Sequence, residues 1–266
     1  GSWGSYYTLV GSGNISDSYQ DKHIYLANRN THYLFAHGDG PGSTTSAGDV
    51  IRTDDFASPL MTFNYVFGCI FGSYHGDWDK TDNVMRASLA SKGSILSCAW
   101  SGRPYWWWHH LGNGENLGYS ARAMQNSNGL YFMNGYTKSV HISLLGDPTL
   151  RIHIIAPPQN LKDTVLSNHV NLSWSPSPDS ILGYHVYKAD SLNTKYTRLT
   201  TSPITDTMYI DPATASGNYV YIVKAVKKEV NSSGSYFNTS RGILASNISG
   251  IADVKIDLHP PKVLTP

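Results

Sequence analysis

The chain has 266 residues, 40 % hydrophobic and 15 % charged, with a formal net charge of +1. That length and apolar content suit a packed core in one large domain or two smaller ones, not a disordered chain. The near-neutral charge, with no long basic run, gives nucleic acid no electrostatic footprint. Two cysteines exclude a disulfide-rich scaffold and a four-cysteine zinc site, and no apolar run reaches the length of a transmembrane segment.

Residues 1 to about 30 mix Gly, Ser, Tyr and Asn, with His23–Ala27 as a short strand or approach segment. The run Thr31-His32-Tyr33-Leu34-Phe35-Ala36 is apolar and aromatic and ends on His37-Gly38-Asp39-Gly40. A second run, Phe63-Asn64-Tyr65-Val66-Phe67-Gly68, delivers Cys69. Both runs predict buried strands, and the gap between them accommodates a crossover into a neighbouring parallel strand. Thr53-Asp54-Asp55 supplies an N-cap signature for the crossover helix. In an open parallel sheet, functional groups gather beyond the carboxyl ends of the strands, so an imidazole and a thiol are expected at one sheet edge. A thiol next to a base is an activated nucleophile.

After Cys69 comes a polar loop, Gly72–Asp79, containing His75, a rival base only six residues from Cys69. Asp82-Asn83 caps a helix over Val84–Ser91, Lys92-Gly93 stops it, and Ser94–Trp100 is the next strand. Cys98 on that strand is a core thiol or the partner of Cys69 in a bridge that would abolish the nucleophile. Asp77, Asp79 and Asp82 form an incomplete calcium loop, lacking the glycine and terminal glutamate of an EF-hand; no other cofactor is expected. The loop Ser101–His110 holds Trp106, Trp107 and Trp108, which cannot all face inward, so at least one is expected to line a cleft or interface. A glycan-stacking platform is a further reading of these three. His109 and His110 are adjacent and make a poor metal pair. Glu115–Gln125 predicts a helix, and Leu144–Ile152 leads out of the domain.

Ala156-Pro157-Pro158 is a linker signal. Beyond it, Val170–Trp174, Tyr184–Lys188 and Tyr219–Val226 alternate with period two, which predicts a β-sandwich. The organisation expected is therefore 1–155, an α/β unit; 156–252, an all-β sandwich; and 253–266, a tail or linker.

His37-Gly38, Cys69, the helix and small-residue strand from Asn83 to Ser97, and Leu145-Gly146-Asp147-Pro148-Thr149-Leu150 occur in the order found in caspase-like cysteine peptidases. Residues 30–152 resemble the gingipain family most closely, specifically the C-terminal part of its catalytic domain. The resemblance implies a caspase-like, mainly parallel three-layer sheet, incomplete here because the family's two earlier strands are not seen before the His strand. It implies a secreted or cell-surface, bacterial-type cysteine endopeptidase. Cys69 would be the nucleophile, His37 the base, and the backbone N–H groups of Gly38 and Cys69 the oxyanion hole. Trp106 would form an aromatic wall of the substrate pocket and Trp107 would also bind substrate, with Asp39, Asp77 and Asp79 the candidates for its acidic group. Phe67-Gly68 before Cys69 offers no carboxylate, so the P1 preference is not readable. It further implies that an N-terminal segment or a second chain completes the sheet along residues 31–36. The alternative is a catalytically inactive caspase-fold surface protein acting as a binding or structural module. Leu172-Ser173-Trp174, Gly183–Tyr187 and Tyr219-Val220-Tyr221 resemble a fibronectin type III module with an immunoglobulin-like sandwich, which implies a spacer or adhesive role.

Overall fold

The structure, a computed structural model, describes residues 2–16, 27–100, 106–126, 142–192, 194–212 and 219–246. The chain divides into two compact units, residues 1–153 with 229–236, and 154–228 with 237–266. The expected tail, 253–266, most of the His23–Ala27 segment and the start of the loop at 101–105 lie outside the described residues. Among the described residues no helix is long and apolar enough to cross a membrane.

The first unit opens with helix α1 (Ser2–Val10), closed by Gly11 at φ +81°. Strand β1 (Tyr33–Asp39) follows, then a small antiparallel meander of β2 (Gly42–Ser43), β3 (Ser46–Ala47) and β4 (Ile51–Arg52). Helix α2 (Thr53–Ala57) begins where the Asp55 carboxylate accepts from Arg52 N–H at 2.8 Å. It leads into β5 (Tyr65–Phe71). Helix α3 (Val84–Ala90) is capped by Asn83, whose side-chain oxygen accepts from Met85 N–H and Arg86 N–H. Then come β6 (Ser97–Trp100), α4 (His109–Gly112), α5 (Leu117–Gln125) and β7 (Ser143–Gly146).

The strand order is β1-β5-β6-β7. The first three strands run parallel and β7 runs antiparallel to β6. Helices cover both faces of this sheet. On one face Phe67, Cys69 and Ala99 meet Tyr6 and Leu9 of α1, Leu111 of α4, and Leu117, Ala121 and Met124 of α5. On the other, Ala36, Ile70 and Cys98 meet Phe56 of α2 and Val84 and Met85 of α3. Helices on both faces of a largely parallel sheet make a three-layer α/β arrangement.

The second unit is antiparallel. Strands β8 (Gln159–Val165), β9 (Val170–Ser175) and β12 (Met208–Asp211) form one sheet in the order β12-β9-β8. Strands β10 (Gly183–Ala189), β11 (Thr197–Arg198), β13 (Val220–Asn231) and β14 (Gly234–Thr239) form the other in the order β11-β10-β13-β14, and β15 (Ile243–Ser246) pairs with β13. Val170, Leu172 and Trp174 from the first sheet share one core with Tyr184, Val186, Tyr221, Val223 and Ala225 from the second. Alternation along each strand puts these residues on the inner faces.

Candidate functional site

His37 and Cys69 are register partners on adjacent parallel strands, β1 and β5. Their side chains reach the same face, because Phe35–His37 and Phe67–Cys69 share the two-residue period and Phe35 and Phe67 pack ring to ring at 5.2 Å. The Cys69 sulfur is near enough to the His37 ring and the Tyr6 hydroxyl to raise the pKa of both. The remaining contacts fix the imidazole. His37 Nε2 lies 2.9 Å from Asp39 Oδ1, and His37 Nδ1 lies 3.3 Å from the Tyr6 hydroxyl. Burial works against the imidazolium, but the Cys69 sulfur and the Asp39 carboxylate outweigh it, and the His37 pKa is raised. An imidazolium beside a thiol favours the thiolate, the form that attacks carbonyl carbon.

Both reactive residues sit inside the β1–β5 ladder, which runs on to Asp39↔Phe71, rather than just beyond the strand ends. This corrects the sequence expectation, with a consequence for the oxyanion donors. Gly40 N–H donates to Phe71 O across the ladder at 3.0 Å. Gly38, two residues earlier, has its N–H on the same side by the strand period, aimed at β5 and not into a cleft.

Tyr6 is a member of the cluster that the sequence reading missed. Its ring stands edge-on to His37 at 5.7 Å and stacks on Trp108 at 6.1 Å. Its hydroxyl is held protonated, with burial the chief cause and the Cys69 sulfur adding to it. The available signal was Tyr6, Leu9 and Val10 at helical spacing (i, i+3, i+4), set among Gly and Ser that dilute helix propensity.

Of the aromatic wall, Trp106 is 0 % exposed, stacks on Trp108 at 4.5 Å and 9°, and donates from Nε1 to Ser120 Oγ at 2.8 Å. It is a core residue in this structure and offers no surface to a ligand. Trp107 is the one tryptophan of the three left partly exposed, with its backbone N–H donating to Met124 Sδ at 3.4 Å. Asp39 faces His37, not a separate pocket, and its side chain is 53 % exposed.

The other candidates do not join the cluster. His75 is buried against the meander, with Nε2 3.0 Å from Ser46 O, and burial lowers its pKa. It is locked into loop packing and is not positioned as a base for Cys69. Cys98 is in no disulfide, and neither is Cys69. Cys98 pairs with Gly68, one residue out of step with the Cys69↔Ala99 pair, so the two thiols lie on opposite faces of the sheet. Burial pushes the Cys98 thiol up to about 12. Asp82 accepts the Thr53 hydroxyl at 2.8 Å and Asp79 pairs with Lys80 at 3.7 Å. Among the described residues no three His, Cys, Asp or Glu side chains converge where a metal could sit, the Asp77–Asp82 loop included.

No family model matches the sequence, and no curated protein matches it. Among solved structures, an Fn3-like protein from Clostridium thermocellum is 26 % identical; the match covers 35 % of this chain and 92 % of that one, with a TM-score of 0.27. Pectate lyase Pel3 from Pectobacterium carotovorum is 22 % identical over 35 % of this chain and 28 % of its own, with a TM-score of 0.28. A β-1,2-glucanase from Parabacteroides distasonis is 19 % identical over 40 % and 15 %, with a TM-score of 0.25. None of these three is described as a peptidase.

Proposed function

We propose that the first unit is a caspase-like, gingipain-related cysteine endopeptidase and that Cys69 and His37 are its catalytic dyad. The observation that carries this reading is their direct pairing across two parallel strands, with His37 oriented by Asp39 at 2.9 Å. A nucleophile, a base and a group that orients the base are the minimum set for acyl transfer. The Cys69 thiolate attacks the scissile carbonyl carbon. His37 then gives its proton to the departing amine, and the acyl-enzyme is released by a water that His37 deprotonates. The N–H groups of Gly38 and Cys69 are the assigned oxyanion donors, a role that requires substrate to draw the end of β1 away from β5. The second unit is an immunoglobulin-like, fibronectin type III-related spacer. The whole protein is assigned to the bacterial exterior, secreted or surface-attached, and an N-terminal segment or second chain is assigned to the outer edge of β1.

A second reading, a catalytically silent binding or structural module, has one observation in its favour: Cys69 is 0 % exposed. Cleavage of a mixture of unstructured peptides, followed by mass spectrometry, separates the two. The peptidase reading predicts new termini that disappear in Cys69→Ala, a loss of at least about a thousandfold for removal of a covalent nucleophile. Equal cleavage by wild type and Cys69→Ala contradicts it.

A further inference from the structure

The Cys69 sulfur is fully buried, and among the side chains packed around it Tyr6 of α1 is the one that also meets the His37 ring through its hydroxyl. Tyr6 is 4 % exposed and is wedged among Phe35 (5.3 Å), His37 (5.7 Å) and Trp108 (6.1 Å). Its hydroxyl lies on His37 Nδ1. Asp39 already holds Nε2, so Nδ1 is the ring nitrogen left for proton transfer with the thiol. Tyr6 therefore both screens the sulfur and competes with it for the base. A peptide carbonyl cannot come within reacting distance, roughly 3–3.5 Å, of a sulfur with no accessible surface.

The cover is built to be separable. Helix α1 has nine residues, too short to be stable alone, so tertiary contact holds it in place. Ser5 Oγ donates to Trp106 O at 3.5 Å, and Val10 packs against the same core. Ser5, Tyr6 and Leu9 are its buried residues among those whose side chains are described, while Tyr7 faces out. Ser233 Oγ donates to Thr8 O at 2.6 Å at the far end of the helix. Gly11 at φ +81° and Gly13, with nothing within 4 Å of a Cβ there, form a compliant join. A short helix held by tertiary contact alone can open locally at a fraction of the global unfolding free energy.

We propose that α1 is a self-covering lid on the Cys69–His37 pair, with Tyr6 as its plug, and that substrate enters only when α1 withdraws. This rests on the peptidase reading for its purpose, but the lid is testable without any cleavage. The probe is iodoacetamide, with each cysteine quantified by peptide mass spectrometry; Cys98, buried on the opposite sheet face, is the internal control. In the native wild type both cysteines should react slowly. Tyr6→Ala should raise Cys69 alkylation at least about tenfold and leave Cys98 unchanged, because only the local opening is made easier. Tyr6→Phe, which keeps the plug and removes its hydroxyl from Nδ1, should leave the rate within about threefold while moving the pH profile of alkylation. Should Tyr6→Ala fail to fold, the wild type in sub-denaturing urea serves: Cys69 should become reactive below the unfolding midpoint and Cys98 only within the transition. Cys69 reacting in the native wild type as fast as a small free thiol overturns the lid, and so does simultaneous exposure of both cysteines in urea. A variant that gains Cys69 reactivity but cuts no peptide retains the lid and removes the peptidase reading.

Discussion

His37 is where environment and chemistry meet. Burial alone would lower its pKa, yet the Cys69 sulfur and then Asp39 push it up to about 10. A histidine whose folded pKa exceeds its unfolded value of about 6.5 binds its proton more tightly when folded. Its stabilising contribution is therefore complete below about pH 6.5 and lost as pH rises through about 10. The melting temperature should fall across that window, and Cys69→Ser should flatten the fall more than Asp39→Asn, since the sulfur is the larger of the two raising causes. A slope unaltered by Cys69→Ser would show that the two side chains are not electrostatically paired. The placement of His37 and Cys69 on neighbouring strands was legible in sequence because each lies in an apolar, aromatic run closed by glycine, Gly38 directly after His37 and Gly72 after Ile70-Phe71. Tyr6 and the burial of Trp106 were not: both depend on which face of the sheet α1 and α5 settle against, and no local pattern encodes that.

At the scale of elements, the turns between helix and strand set where Cys69 lies. Asn83 is buried, caps α3 through two backbone N–H groups, and donates from Nδ2 to His75 O at 2.8 Å, tying the loop after β5 to the helix. Asn83→Ala should cost about 1–2 kcal/mol for the cap, with a further loss from the orphaned His75 carbonyl, read by urea denaturation. Gly93 sits at φ +142° with a Cβ position that would run into the Phe63 backbone, where Phe63 N–H meets Lys92 O at 2.9 Å and Ser94 N–H meets Phe63 O at 3.0 Å. Gly93→Ala should therefore lower the melting temperature far more than Gly13→Ala, which has open space. Equal effects would mean that the Phe63–Gly93 contact does not set the start of β5 and β6. The caps and stops of α3 were readable because Asn and Gly at helix ends have mechanical reasons to be there. The His109–Gly112 helix was not, since a four-residue turn among aromatics has no period to detect.

At the scale of the molecule, β1 has β5 as its sole ladder partner among the described residues. Residues 6–10 lie over the sheet face as a helix rather than along that edge. A strand carrying Leu34, Phe35 and Ala36 whose second edge has no ladder partner among the described residues is a template for strand addition. Hydrogen exchange measures this directly. The β1 amides that point away from β5 should be protected only when a further segment or chain is paired along residues 33–39, and rapid exchange of those amides under all conditions would mean the edge is left open. The change from strand–helix alternation to evenly spaced strands was visible at Ala156-Pro157-Pro158, because period-two and helical patterning differ residue by residue. The grouping of residues 229–236 with the first unit was not visible, since it follows from the length of a hairpin and not from its composition.

The central claim, that Cys69 and His37 act together as a nucleophile and its base, is tested most directly by a peptidyl acyloxymethyl ketone probe, which alkylates a cysteine only after binding as a substrate. The account predicts a single adduct on Cys69, absent in His37→Ala and faster in Tyr6→Ala. No adduct in either wild type or Tyr6→Ala, in a folded protein whose Cys69 iodoacetamide does reach, would contradict it.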